Sequence, residues 1–164
     1  MDILTTIASS EPAMLLRGSF WIYPLVNAAH ILGIALLIGA IVPFDLRLMG
    51  LIRKGRIRTL AQVLVPTAAA GLAIAAASGA LLFIVKPVEY ARADLFVYKL
   101  AVIGIGLINI GWVRSNPRWA ELVQKDESIL NPSEPNRKLR IAGGVSIAAW
   151  VLVLILGRLT GYFM

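Results

Sequence analysis

The chain contains no cysteine, only one histidine, and nine acidic residues among 164. The missing cysteines exclude disulfides, thiolate metal centres, CxxC redox chemistry and c-type haem attachment. Nucleophile triads, paired carboxylates and phosphate-binding glycine loops are also absent, which removes conventional hydrolase and nucleotide chemistry. The scarcest feature is charge within the long apolar runs. From Phe20 to Phe44 no residue is charged, apart from the titratable His30.

Apolar residues fill the gap: they make up 59% of the chain, against 15% charged. A soluble domain uses about half and a quarter respectively, so the expected class is a single integral membrane domain over residues 1–164. The net charge of +7 does not point to nucleic acid, because the basic residues sit between hydrophobic runs rather than among aromatics on one soluble face. No nucleic-acid partner is expected; the lipid bilayer is.

Four runs reach the roughly 20 apolar residues that cross a hydrocarbon core about 30 Å thick. They cover about Trp21–Pro43, Leu60–Val85, Leu95–Val113 and Ile141–Leu159, which predicts an all-α membrane protein, a four-transmembrane-helix bundle with short interfacial helices. The first span is expected to end at Asp45 and Arg47, where a basic loop to Arg58 begins. Residues 1–18 are too mixed to span and lack the basic start of a cleavable signal. Ser10-Glu11-Pro12 reads there as the start of an interfacial helix, with Trp21 and Tyr23 as anchors at the membrane surface.

Between the second and third spans, Lys86 to Asp94 reads as a polar link, with Asp94 capping the third span. After the third, Asn116-Pro117 opens a surface helix with Trp119, Leu122 and Val123 on its apolar face, stopped by Asn131-Pro132 and followed by a turn through Pro135. Gly71, Ala75 and Gly79 recur at four-residue spacing in the second span, a seam on which another backbone can approach closely. Pro66 lies near the start of that span and is expected in a first turn or at a mild kink.

The loops joining spans one to two and three to four hold eleven Lys and Arg, and the opposite side four. The positive-inside rule then places both basic loops in the cytoplasm and both termini outside, in the periplasm if the membrane is a bacterial inner membrane. His30 lies roughly 9 Å and Lys99 roughly 7 to 8 Å into their spans from that outer side, at 1.5 Å per residue. Intramembrane ionisable residues are functional candidates by default. On the first span Asn27, His30 and Gly33 share a face; on the third, Lys99, Val102, Gly106 and Asn109 do. A common interior site for His30 and Lys99 is the expectation. The bland alternatives are a snorkelling Lys99 and a His30 bonded to Asn27 or a backbone carbonyl.

His30 followed by Gly33 and Gly39, Pro66 early in the second span, and Phe96-x-x-Lys99 in the third resemble the small four-helix proteins grouped around copper-resistance protein D and the membrane protoporphyrinogen oxidase HemJ. Asp45–Gly50, DLRLMG, looks closest to an uncharacterised bacterial inner-membrane family with that signature. The resemblance covers roughly residues 20–113 and departs from the oxidase pattern in lacking a tryptophan in the glycine stretch after His30 and a histidine beside Lys99. It implies b-type haem on His30, which would be the metal ligand, and a functional role for Lys99.

The residues present suit that chemistry. Neutral imidazole is a good axial ligand, and haem propionates want cations or hydroxyls near the interface, here Lys99 with Tyr98 or Tyr23. One protomer offers one histidine, so a homo-oligomer, a larger membrane complex or a substrate would supply any sixth ligand. Soft Cu(I) finds no cysteine and no intramembrane methionine pair, since Met14, Met49 and Met164 lie near span ends or tails. Three readings remain: a haem-binding redox protein, a non-catalytic accessory or assembly subunit, and a copper or small-solute permease.

Overall fold

The computed structural model describes residues 3–124 and 136–163. Every element in them is a helix: α1 (Ile3–Ala8), α2 (Glu11–Gly18), α3 (Ile22–Met49), α4 (Ile57–Val85), α5 (Pro87–Arg92), α6 (Asp94–Ser115), α7 (Pro117–Gln124) and α8 (Arg137–Phe163). Helices α3, α4, α6 and α8 are each long and apolar enough to cross a membrane. The protein is an all-α four-helix membrane bundle. Asn131, Pro132, Pro135 and Met164 lie outside the described residues.

The helices are longer than the hydrophobic runs. Helix α3 continues past Pro43 to Met49, so Asp45 and Arg47 do not end the helix but lie buried within its last two turns, at 3% and 5% exposure. Their polar groups find partners there: the Ser146 hydroxyl donates to the Asp45 carboxyl, and Arg47 Nε donates to the Gly55 carbonyl at 3.0 Å. The helix stops at Gly50, whose φ of 81° is a left-handed cap that side chains with a Cβ avoid. Pro66 is ten positions inside α4 rather than in its first turn.

Helix α4 packs along α3, α3 along α8, and α8 along α6. The α3–α4 contact is the closest because it lacks side chains. A Cβ on Gly33 would stand 2.6 Å from the Ala75 nitrogen, and one on Gly71 would stand 2.5 Å from the Leu37 nitrogen. At Gly71 and Ala75 the seam is therefore a backbone-to-backbone contact, where dispersion rather than burial from water holds the helices together, and at Gly79 it meets the His30 ring instead. Helices α4 and α6 stand further apart, and Phe83 and Phe96 stack across that gap with ring centroids 5.5 Å apart.

The polar link became a helix, α5, whose Tyr90 packs on both phenylalanines. At the opposite, basic end, α7 begins where expected, with the Asn116 side chain accepting from the Arg118 N–H at 3.0 Å. It does more than cover a surface. Leu122 is fully buried with Phe44, Leu48, Ile57, Ala61 and Leu139, and Trp119 meets Phe44 edge-on at 5.7 Å. Helix α7 thereby plugs the basic end of the bundle, joining α4 to α6.

Candidate functional site around His30

His30 is half-buried on the face of α3 that meets α4. Its Nδ1 lies 2.9 Å from the Ala75 carbonyl oxygen and 3.1 Å from Ser78 Oγ. The Ser78 hydroxyl already has an acceptor, the Ile74 carbonyl at 2.5 Å, so Nδ1 is the donor and Ala75 and Ser78 the acceptors. That fixes the neutral ring as the Nδ1–H tautomer and leaves Nε2 with its lone pair. No described residue hydrogen-bonds Nε2. Gly79 makes room for the ring edge, since a Cβ there would stand 3.1 Å from His30 Cε1.

A ring nitrogen donating to a carbonyl while the other is left bare is the arrangement that orients metal-ligating histidines. A ring held this way keeps the Nε2 lone pair for a metal, should one be bound. Among the described residues no three His, Asp or Glu side chains gather, so a metal held by protein ligands alone has no cluster there.

Lys99 lies on α6 against α8: a Cβ on Gly157 would stand 3.5 Å from its Nζ. The same stripe of α6 places Gly106 under the Trp150 ring and Asn109 on α8, where its Nδ2 donates to the Ala142 carbonyl at 3.0 Å. The polar stripe of the third span therefore faces inward onto α8. His30 and Lys99 are close enough for their charges to interact, although they sit on different packing seams.

The remaining candidates are not beside them. Asn27 is exposed and makes no hydrogen bond to His30. Tyr98 is 59% exposed on another side of α6, and Tyr23 is 40% exposed. Tyr23 instead interacts electrostatically with Tyr90 and Lys86 at the end of the bundle. Lys86 donates to Glu89 at 2.8 Å, and that contact holds its ammonium above the usual lysine range. Partial burial, then Tyr23, push the Tyr90 phenol up from its ordinary value.

Sequence reasoning missed Ser78 and Ala75 as the partners of His30. The signal was present, because Ala75 belongs to the seam that ends in Gly79 and Ser78 adjoins it. It also missed that Asp45 and Ser146 are buried together nearer the basic end. Compared with protein-family models, curated proteins and solved structures, the chain finds no match.

Proposed function

We propose that this is a haem-binding membrane protein in which His30 ligates iron through Nε2. The observation that carries the reading is the hydrogen bond from His30 Nδ1 to the Ala75 carbonyl, which sets the tautomer and aims the ring. Bound there, haem supplies a one-electron centre. Lys99 offers a cation to a propionate. Its membrane is a bacterial inner membrane, with the loop 50–56 and α7 in the cytoplasm and both termini periplasmic, as the division of basic residues favours. A homo-oligomer or a larger membrane complex provides any sixth ligand.

One observation favours a second reading. The same hydrogen bond ties α3 to α4, so His30 can serve as a structural staple in an accessory subunit that binds no cofactor. A visible spectrum of the purified protein after haem reconstitution separates the two. A Soret band that His30→Ala abolishes and Lys99→Ala only weakens supports haem ligation. A colourless wild type whose His30→Ala variant loses about 1 kcal/mol of stability supports the staple.

A further inference from the structure

The haem reading leaves the basic end of the bundle unused. Residues 45–58 and 114–140 carry eleven Lys and Arg against five Asp and Glu, whereas the rest of the chain, Lys99 apart, balances four with four. All of the cationic excess except Lys99 therefore gathers at one end. Among the described residues the carboxylates of that end are Asp45, which is buried, and Glu121, which pairs with Arg118. Arg53 and Lys54 are exposed and have no hydrogen-bond or ion-pair partner among the described residues.

The loop that carries these two cations is held in one shape. The Leu51 and Ile52 N–H groups donate to the Leu46 carbonyl at 3.0 and 3.3 Å, the buried Arg47 closes the loop from inside through Gly55, and Arg140 of α8 donates to the Met49 carbonyl at 2.9 Å. Gly50 and Gly55 take positive φ values of 81° and 89° at its two ends. What the loop exposes is Leu51 at 68%, Ile52 at 37%, and then Arg53 and Lys54. Arg140 also lies over Gly50, whose Cβ position would stand 3.8 Å from its Nε, so the exposed Arg137, Lys138 and Arg140 of α8 adjoin the loop. Orientation needs only charge, and an apolar pair pinned beside the cations is more than that rule requires.

Depth selects the partner. Helix α3 begins beside Trp21 and Tyr23, at the opposite face of the membrane, and its 28 residues rise about 42 Å at 1.5 Å each. That exceeds a hydrocarbon core of about 30 Å and matches the roughly 40–45 Å that includes both headgroup layers. The loop after α3 thus emerges among lipid headgroups, where apolar side chains suit the acyl boundary and neighbouring cations suit a phosphate. We propose that the loop 50–56, with the first turn of α8, binds the headgroup of an anionic phospholipid in the leaflet at the basic end. Arg53 and Lys54 meet the phosphate, and Leu51 and Ile52 enter the acyl boundary. The site stands whether or not haem binds, because His30 lies in the opposite half of α3.

The test uses the full chain, delipidated in an uncharged detergent without haem, and native mass spectrometry of its adducts with phosphatidylglycerol and phosphatidylcholine of identical acyl chains. The wild type should retain phosphatidylglycerol in preference. Replacing Arg53→Gln and Lys54→Gln together should weaken that adduct roughly tenfold or more, with little change for phosphatidylcholine. Lys86→Gln with Arg92→Gln removes two cations at the other end and should leave the preference intact. Equal retention of both lipids by the wild type overturns the site, as does an equal loss of preference in the two double variants. Displacement of phosphatidylglycerol by inorganic phosphate would assign the patch to a free anion, and binding of soluble polyglutamate without any lipid preference would assign it to an acidic protein; either result overturns the lipid.

Discussion

His30 Nδ1 lies 2.9 Å from the carbonyl oxygen of Ala75, a residue 45 positions further along the chain, and this bond crosses the closest helix contact in the protein. The contact makes the bond available. Gly33 and Gly71 bring the α3 and α4 backbones together, so a side chain of imidazole length reaches a main-chain carbonyl that α4 would otherwise keep for itself. Packing seam and candidate site are one structure: the small residues that hold the helices also position the histidine.

The first prediction concerns that positioning. Gly79→Ala introduces a methyl 3.1 Å from His30 Cε1, so the ring must rotate or withdraw by a few tenths of an ångström. In a haem-loaded sample the Soret band should shift or weaken while the helix content by circular dichroism holds. Ser78→Ala removes the weaker of the two acceptors and should cost only about 0.5 to 1.5 kcal/mol, with the ring still held by Ala75. A larger spectral effect for Ser78→Ala than for Gly79→Ala would refute this view of the ring's support.

The packing seam predicts a contrast between two glycines. At Gly71 a Cβ meets the Leu37 nitrogen at 2.5 Å and the Gly33 carbonyl oxygen at 2.7 Å, both backbone atoms that cannot step aside. Gly71→Ala should therefore destabilise by about 1 to 3 kcal/mol through overpacking. At Gly39 nothing lies within 4 Å, and Gly39→Ala should stabilise by up to about 1 kcal/mol through helix propensity. Thermal unfolding in detergent decides, and equal midpoints for the two variants would show that α3 and α4 do not pack as described.

The four spans were legible because a membrane helix announces itself by length and absence of charge, and the α4 seam because small residues recur every four positions. The inward stripe of Lys99, Gly106 and Asn109 was legible by the same periodicity. The burial of Asp45 and Arg47 inside a continuing helix was not legible, since hydropathy treats a charge as a span end. The Ser146 hydroxyl and the Gly55 carbonyl, which let them stay buried, come from segments remote in sequence or across a turn. The partners of His30 were hidden for a similar reason. Helical periodicity gives the face of a residue but not the rotation of the neighbouring helix against it, so the sequence offered Asn27 or a backbone carbonyl as partners without showing that the carbonyl is that of Ala75.

Orientation in the membrane is open to a direct check, since the chain has no cysteine of its own. Cysteine at exposed Lys54, in the basic loop between α3 and α4, should be shielded from an impermeant thiol reagent applied to intact cells. Cysteine at exposed Ala91, in α5 at the other end, should react. The basic-loop rule expects this pattern. Labelling at 54 with protection at 91 would invert the orientation and turn the His30 end toward the cytoplasm.

The last prediction reads the far end of the bundle through Tyr90. Partial burial and the neighbouring Tyr23 raise its phenol above the ordinary 10.0. The sign follows from linkage: below about pH 10 the phenol is neutral in both folded and unfolded chains, and its contribution to stability is fully present. As the pH rises, the unfolded chain releases the proton first, so stability falls until the folded value is passed. Phenolate absorbance should show one of the four tyrosines ionising late, and Tyr90→Phe should remove that component and soften the loss of thermal stability above pH 10. The Phe83–Phe96 stack should survive the change, because the phenyl ring retains the packing at 5.2 Å from Phe96. A Tyr90→Phe variant with an unaltered alkaline titration would mean that the aromatic cluster closing α4 against α6 is open to water.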